Sequence, residues 1–378
     1  MNSPAPHRGE LGRVAWLFLK LGCTAFGGPA AHVAIMEHEV VRERGWLTHA
    51  EFLDLLGATN LIPGPNSTEM AIHIGHRRAG WPGLVVAGCC FILPATIIVG
   101  VIAWAYVKFG VLPEVTRILH GVKPVIVAVI IQALWSLART AIKTRWLATL
   151  GIAALALNAV GVNELAVLFG TGLVMAIPRL TRRSAGASAL GLIPFFTTAA
   201  PAASVAAPFS VGALFWFFMK VGSVLFGSGY VLLAFLRADL VERWHWLTET
   251  QLLDAIAVGQ FTPGPVFTSA TFIGYILGGP PAALAATVGI FLPAFVFIAI
   301  SGPLVPKLRA SPVAGAFLDG VNVASLALMT VVTWQLARAA LVDWRTLALA
   351  TATAFLLLKY RVNSAWLVLG GAIAGWFW

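Results

Sequence analysis

The chain has 378 residues, 59% of them hydrophobic and only 11% Asp, Glu, Lys or Arg, and its mean hydropathy is +0.88. Soluble domains carry about 25% charged residues, so a water-soluble enzyme or binding module is excluded and a multi-pass membrane protein is expected. The formal charge of +10 does not point to nucleic acid, because the cations stand in short clusters between apolar stretches: His76-Arg77-Arg78, then Arg139, Lys143 and Arg145, then Arg179, Arg182 and Arg183.

No leader with an apolar core precedes Lys20, so a retained first helix is expected over 11–35, ending in Gly27-Gly28-Pro29 and followed by a charged connector over 37–44. Thr48 is placed to N-cap a helix through Ala58, with Glu51 completing a capping box, and Thr248 and Gln251 stand in the same relation. That helix must stop at Pro63-Gly64-Pro65, since proline lacks the N–H and its ring obstructs the preceding turn. A new helix is expected from Asn66 to about His76, making the segment either one discontinuous span or a re-entrant hairpin. Apolar spans follow at 82–107 and 118–138. The 33 residues from Trp146 to Pro178, about 50 Å of helix, predict two short helices with a turn over Asn158 to Asn163. Residues 184–208, rich in Ala, Ser, Gly and Pro, read as a linker that also permits a membrane-associated segment. The remaining charge-poor stretches are 209–235, 282–304, 317–337 and 345–358; they lack the alternation of barrel strands, so the fold is all-α.

The pattern is written twice, 200 positions apart. Phe18, Lys20, Gly22, Phe26, Gly27, Trp46-Leu47-Thr48, Asp54, Asn60, Pro63-Gly64-Pro65 and Thr68 recur as Phe218, Lys220, Gly222, Phe226, Gly227, Trp246-Leu247-Thr248, Asp254, Gln260, Pro263-Gly264-Pro265 and Thr268. Beyond the triplets the offset slips to 199, as in Gly75/Gly274, Leu93-Pro94/Leu292-Pro293 and Gly121-Val122/Gly320-Val321. Two repeats, 11–183 and 209–378, are therefore expected on either side of the linker. The cluster at 76–78 has only Tyr275-Ile276-Leu277 opposite it, while the loop with Lys307 and Arg309 holds no acid. This reversal of charge favours an inverted repeat over a parallel one, with about ten helices, five per half.

Broken membrane helices expose unpaired N–H groups, which suit an anion. The expected binding groups are Pro63, Gly64, Pro65, Asn66, Ser67 and Thr68 in the first half, with Pro263, Gly264, Pro265, Thr268 and Ser269 in the second, joined by the amides of Asn60 and Gln260. Simple kinks would not require polar residues on both sides of both breaks. Lys20 and Lys220 lie in apolar helices and are candidate anion ligands, the alternative being lysines that stretch to the interface. Gly22, Gly27 and Gly28, with Gly222, Gly227 and Gly229, would let the broken segment approach, or serve plain packing. Glu69 lies just past the first triplet, where the second half has Ser269, and is the first candidate for proton coupling. A contact with His73 or Arg77 is its alternative, and Asp54 and Asp254 are further proton candidates unless they pair with the lysines. Cys23, Cys89 and Cys90 read as packing residues. His32, Glu37, His38 and Glu39 lack metal-ligand spacing, and no phosphate-binding loop or nucleophile–base set occurs, so neither metal, cofactor nor enzyme activity is expected.

Phe18-Leu19-Lys20-Leu21-Gly22, Phe26-Gly27-Gly28-Pro29, Trp46-Leu47-Thr48 to Asp54, Pro63-Gly64-Pro65 and Phe91-Ile92-Leu93-Pro94 resemble the long-chain form of the chromate ion transporter family. The second half is similar at Phe226-Gly227-Ser228-Gly229 and Phe291-Leu292-Pro293, departing at Gly229 for Pro29 and Ser269 for Glu69. The resemblance spans 11–378 and implies export of chromate across the bacterial inner membrane, coupled to protons, conferring chromate resistance. Sulfate is the competing or alternative cargo. The expected partners are thus chromate, sulfate, protons and the lipid bilayer, with a homodimer allowed for. An anion channel built on the same sites is the alternative that the duplicated breaks disfavour.

Overall fold

The computed structural model describes residues 8–26, 28–110, 112–183, 208–226, 231–301, 311–360 and 362–378. Among these residues there are helices and no strands. The predicted linker, apart from its last residue, lies outside them, as do Gly27, Gly227, Gly229, Lys307 and Arg309.

The first helix is not continuous over 11–35. α1 (Arg8–Thr24) stops at Ala25 and Phe26, and α2 (Gly28–Glu37) leads into a π-helical turn over His38–Glu43. Pro29 accounts for the break, because in an unbroken helix its ring would meet the carbonyl four residues back, that of Ala25. α3 (His49–Thr59) begins at the Thr48–Glu51 capping box. After the triplet comes α4 (Asn66–Phe109), whose two arms are separated by non-helical backbone at Ala79 and Gly80.

A 3.1 Å ion pair from Arg77 to Glu51 joins the end of the first arm of α4 to the start of α3. The segment from Thr48 to Ala79 is therefore a re-entrant hairpin, not a span. Arg78 pairs with Glu10 at 2.7 Å and lies 5.3 Å over the ring of Trp46, so the start of α1 and the end of the π-helical turn share this face, termed here the amino face. The second arm of α4 then crosses to the far face and α5 (Pro113–Ala141) returns. α6 (Arg145–Ala159) and α7 (Glu164–Arg183) form the two short helices expected on either side of Asn158–Asn163.

The second half repeats this order. α8 (Val211–Val224) is followed by α9 (Leu232–Phe235), which runs into a π-helical turn over Leu236–Arg243. α10 (Glu249–Phe261) starts at the Thr248–Gln251 capping box. Past the second triplet, a 3-10 turn (Val266–Thr268) leads into α11 (Ser269–Ser301), broken at Gly278 and Gly279. α12 (Pro312–Ala340), α13 (Trp344–Phe355) and α14 (Ser364–Trp376) complete it. Phe209 packs on Trp246 at 5.3 Å and faces Gly278, so this hairpin also begins and ends on one face.

Two ion pairs fix the relation of the halves. Lys143, just past α5, meets Asp319 near the start of α12 at 2.6 Å, and His120 near the start of α5 meets Asp343, just past α12, at 3.7 Å. The equivalent helices are antiparallel, as an inverted repeat requires. An odd count of five helices per half is the expected route to inversion. Among the described residues each half instead has two re-entering hairpins and four alternating helices, an even number. α6 and α7 pack on α12, and α13 and α14 on α5, so each half closes on the other. Gly172 against Gly320, and Gly121 against Gly371 and Gly375, bring these helices within backbone contact. Among the described residues four helical stretches can cross a membrane by length and composition, Asn66–Phe109, Glu114–Ala141, Val266–Ile300 and Pro312–Ala340.

Candidate functional site

The flanking prolines end α3 and α10, and the glycine between them turns the chain with φ 145° at Gly64 and 87° at Gly264, a region that favours glycine. Each glycine N–H then donates across to the other half. Gly64 N–H bonds Leu225 O at 2.7 Å, and Gly264 N–H bonds Ala25 O at 2.9 Å. The acceptors are the carbonyls freed by the breaks after α8 and α1. A Cβ on Gly264 would lie 2.7 Å from Ala95 Cβ and 3.3 Å from Gly22 O, and one on Gly64 would lie 3.6 Å from Ala294 Cβ. Both tips thus sit at the middle of the crossing formed by the second arms of α4 and α11.

The helices starting at the tips have no side-chain cap, since their N-cap residues are Pro65 and Pro265. Buried hydroxyls follow both prolines. Ser67, Thr68, Thr268 and Ser269 are all buried, and Thr68 Oγ1 and Ser269 Oγ have no partner. Thr268 Oγ1 donates to Pro265 O at 2.8 Å. Asn66 Nδ2 donates to Asn60 Oδ1 at 3.0 Å near the exposed edge of the first tip, whereas Gln260 is buried.

Glu69 is fully buried and neither carboxyl oxygen has a hydrogen-bond partner. Its Oε1 occupies the space where a Cβ on Gly64 would stand. His73, one turn on, is nearly buried with its Nε2 unpartnered. The contact between Glu69 and Arg77 that the spacing allows does not form, because Arg77 turns to Glu51.

Both lysines are paired. Lys20 Nζ lies 2.7 Å from Glu39, which also binds Arg44. Lys220 Nζ lies 2.6 Å from Asp239, which also binds Arg243 at 2.8 Å. Each half therefore sets two cations around one acid beside its first helix. Asp254 pairs with neither lysine of the pattern. It is buried between Tyr106 Oη at 2.9 Å and Lys123 Nζ at 3.3 Å, while Asp54 is exposed.

The sequence reading misses Glu39, Asp239, Lys123 and Tyr106. Glu39 and Asp239 lie 19 residues from their lysines, and their matching positions in the two halves were the available signal. Lys123 was legible as a lone cation inside the 118–138 span. Gly22 and Gly222 bring α1 and α8 onto α4 and α11, a Cβ on Gly22 falling 2.7 Å from Phe91 O. Gly28 has φ 78° at the first position of α2. Among the described residues no three His, Cys, Asp or Glu side chains converge as a metal site. His32, buried, donates from Nε2 to Ala25 O at 3.0 Å, and Glu37 takes Arg42 and His49 at 3.4 Å each.

The sequence model of a family described as "Chromate transporter" matches residues 12–176 and again 212–376. A chromate transport protein of Cupriavidus metallidurans is 32% identical over 400 residues, covering 98% of this chain and 97% of that one. One from Pseudomonas aeruginosa is 32% identical over 377 residues, 95% and 90% of the two chains. A probable chromate transport protein of Synechococcus elongatus is 31% identical over 325 residues, 84% and 82%. No solved structure matches the chain.

Proposed function

The chain belongs to the chromate transporter family, and from that membership we propose that it is a secondary transporter exporting chromate across the bacterial inner membrane with proton coupling. The observation that carries this reading is the crossed docking of the two tips, Gly64 on Leu225 and Gly264 on Ala25. It brings two uncapped helix starts to the centre of the molecule from opposite directions, as paired discontinuous helices do in carriers.

A tetrahedral dianion there meets the N–H groups that follow Pro65 and Pro265, with the hydroxyls of Ser67, Thr68, Thr268 and Ser269 and the amides of Asn60 and Gln260 within the same two tips. Each helix start stabilises an anion by about 0.3–1 kcal/mol, and up to about 2 kcal/mol when partly buried. Lys20 and Lys220, each sharing an acid with an arginine, are the further candidate ligands. Glu69 carries the coupled proton, since a buried carboxyl without partners suits a proton better than a charge; Asp54 and Asp254 are the alternatives. Sulfate shares the shape and charge of chromate and is expected to compete, or to be the cargo itself.

Purified protein in proteoliposomes tests the reading. Chromate flux should saturate, respond to an imposed pH gradient and fall when sulfate is added. Equal flux with and without protein rejects transport, and single-channel currents replace the carrier by a channel.

A further inference from the structure

Glu69 is 0% exposed and its two carboxyl oxygens have no partner, so a proton reaches it only through other side chains or a movement of the tip. The first arm of α4 carries a line of groups suited to that task. Glu69, His73 and His76 follow at i, i+4 and i+7, within about 60° of one another around the helix. Helical side chains lean towards the amino end of their helix, so His76 lies back towards His73 and His73 towards Glu69. About 10 Å of helix separates Glu69 from His76, too far for one transfer, and His73 divides it. The other residues between them, Met70, Ala71, Ile72, Ile74 and Gly75, have no side-chain proton to exchange. His73 Nε2 is buried and unpartnered, whereas His76 is half-buried against Trp81, 5.1 Å between rings, next to the Arg77 and Arg78 that pair at the amino face.

The elements packed on this arm offer no substitute. On α1, Glu10 holds Arg13 and Arg78, and Lys20 is held by Glu39. On α2, His32 is bound to Ala25 O and Glu37 to Arg42 and His49. α3 has Glu51 on Arg77, with Asp54 on its exposed side; α10 has Asp254 between Tyr106 and Lys123; α11 has Tyr275 alone. None of these bonds Glu69 or His73 Nε2. The positions matching the line in the second half are Ser269, Phe272 and Tyr275, so it is written once.

We propose that His73 is a proton relay, passing protons between Glu69 at the tip and His76 at the amino face while the tips stay closed. This rests on the reading of Glu69 as the coupled proton site. Inward, His76 or a water beside it gives a proton to Nδ1 of His73. The imidazolium then gives its other proton from Nε2 to a Glu69 carboxylate oxygen, the O–H forming as the N–H breaks, and the ring is left as the neutral Nδ1–H tautomer. Rotation of the ring or one bridging water closes the gap between the two side chains, and the outward transfer runs the same steps backwards.

Full-length protein in proteoliposomes that hold a pH dye reports the protons moved when chromate is added. His73→Phe, the residue of the second half, and His73→Ala should each bind chromate in detergent within about twofold of the wild type, yet move protons at least about tenfold more slowly. Imidazole in the medium should restore His73→Ala, where it fills the vacated space and carries the proton, and not His73→Phe, where a ring already stands. Proton movement within about twofold of the wild type in both variants overturns the relay. So does a fall in chromate binding that matches the fall in flux, which reports a packing histidine, or a His73→Ala that imidazole leaves unchanged. Absence of chromate-driven proton movement in the wild type rejects the coupling and the relay with it, while coupling that survives in His73→Phe rejects the relay alone.

Discussion

Replacing Gly264 by Ala probes the crossed tips at one atom. At φ 87° an L-residue carries strain of about 1–2 kcal/mol. The added methyl would also stand 2.7 Å from Ala95 Cβ, an overpacking cost of about 1–3 kcal/mol. The combined cost of about 3 kcal/mol can be relieved by moving the tip away from Ala25 O, and a displaced tip no longer completes the anion site. Initial chromate flux per reconstituted protein should fall on the order of a hundredfold, while the amount inserted changes far less. Ala95→Gly in the same chain removes the collision but not the backbone strain, so it should recover about tenfold of the loss, after subtraction of its own helix cost of about 1 kcal/mol measured alone. Flux of Gly264→Ala within twofold of the wild type would refute the reasoning, as would a double variant no better than the single.

Lys20→Ala and Lys220→Ala should each weaken chromate binding, measured by calorimetry in detergent, by about five- to tenfold, as expected for removing a nearby charge that is already paired. Wild-type affinity in both would remove the lysines from the site. Lys→Arg restores the charge but not the point geometry, and should recover binding only in part. Glu69→Gln should bind chromate yet lose the response of flux to an imposed pH gradient; undiminished gradient-driven transport moves the proton role to Asp54 or Asp254. Labels at Arg78 and Leu277 should be reached from the cytoplasm and the periplasm respectively, and detection of both from one side would contradict the inverted arrangement.

Features set by neighbours in sequence were readable in advance. The capping boxes at Thr48 and Thr248, the stops at both triplets and the turn before Asn163 each depend on a few adjacent residues. The inversion was readable from loop charge, because insertion acts on clusters such as 76–78. The break at Ala25 was misjudged although Pro29 marks it, since a proline near a helix start and one inside a helix look alike until the boundary is known. Whether 48–79 spans or re-enters turned on one ion pair, Glu51 with Arg77, 26 residues apart. Periodicity carries no information about such a contact. The same holds for Tyr106 and Asp254, separated by 148 residues.

The crossed bonds at the tips also bear on how such a molecule can be divided. Neither half contains the acceptor for its own glycine, so a chain ending near Arg183 would leave Gly64 N–H without Leu225 O and Ala25 O with His32 as its one remaining donor. A half-length version gains those partners only from a second chain inserted upside down beside it. Separately expressed halves should accordingly reassemble when made together in opposite orientations. The two triplets are likewise tied across the pair, each loop to a helix break encoded in the other repeat.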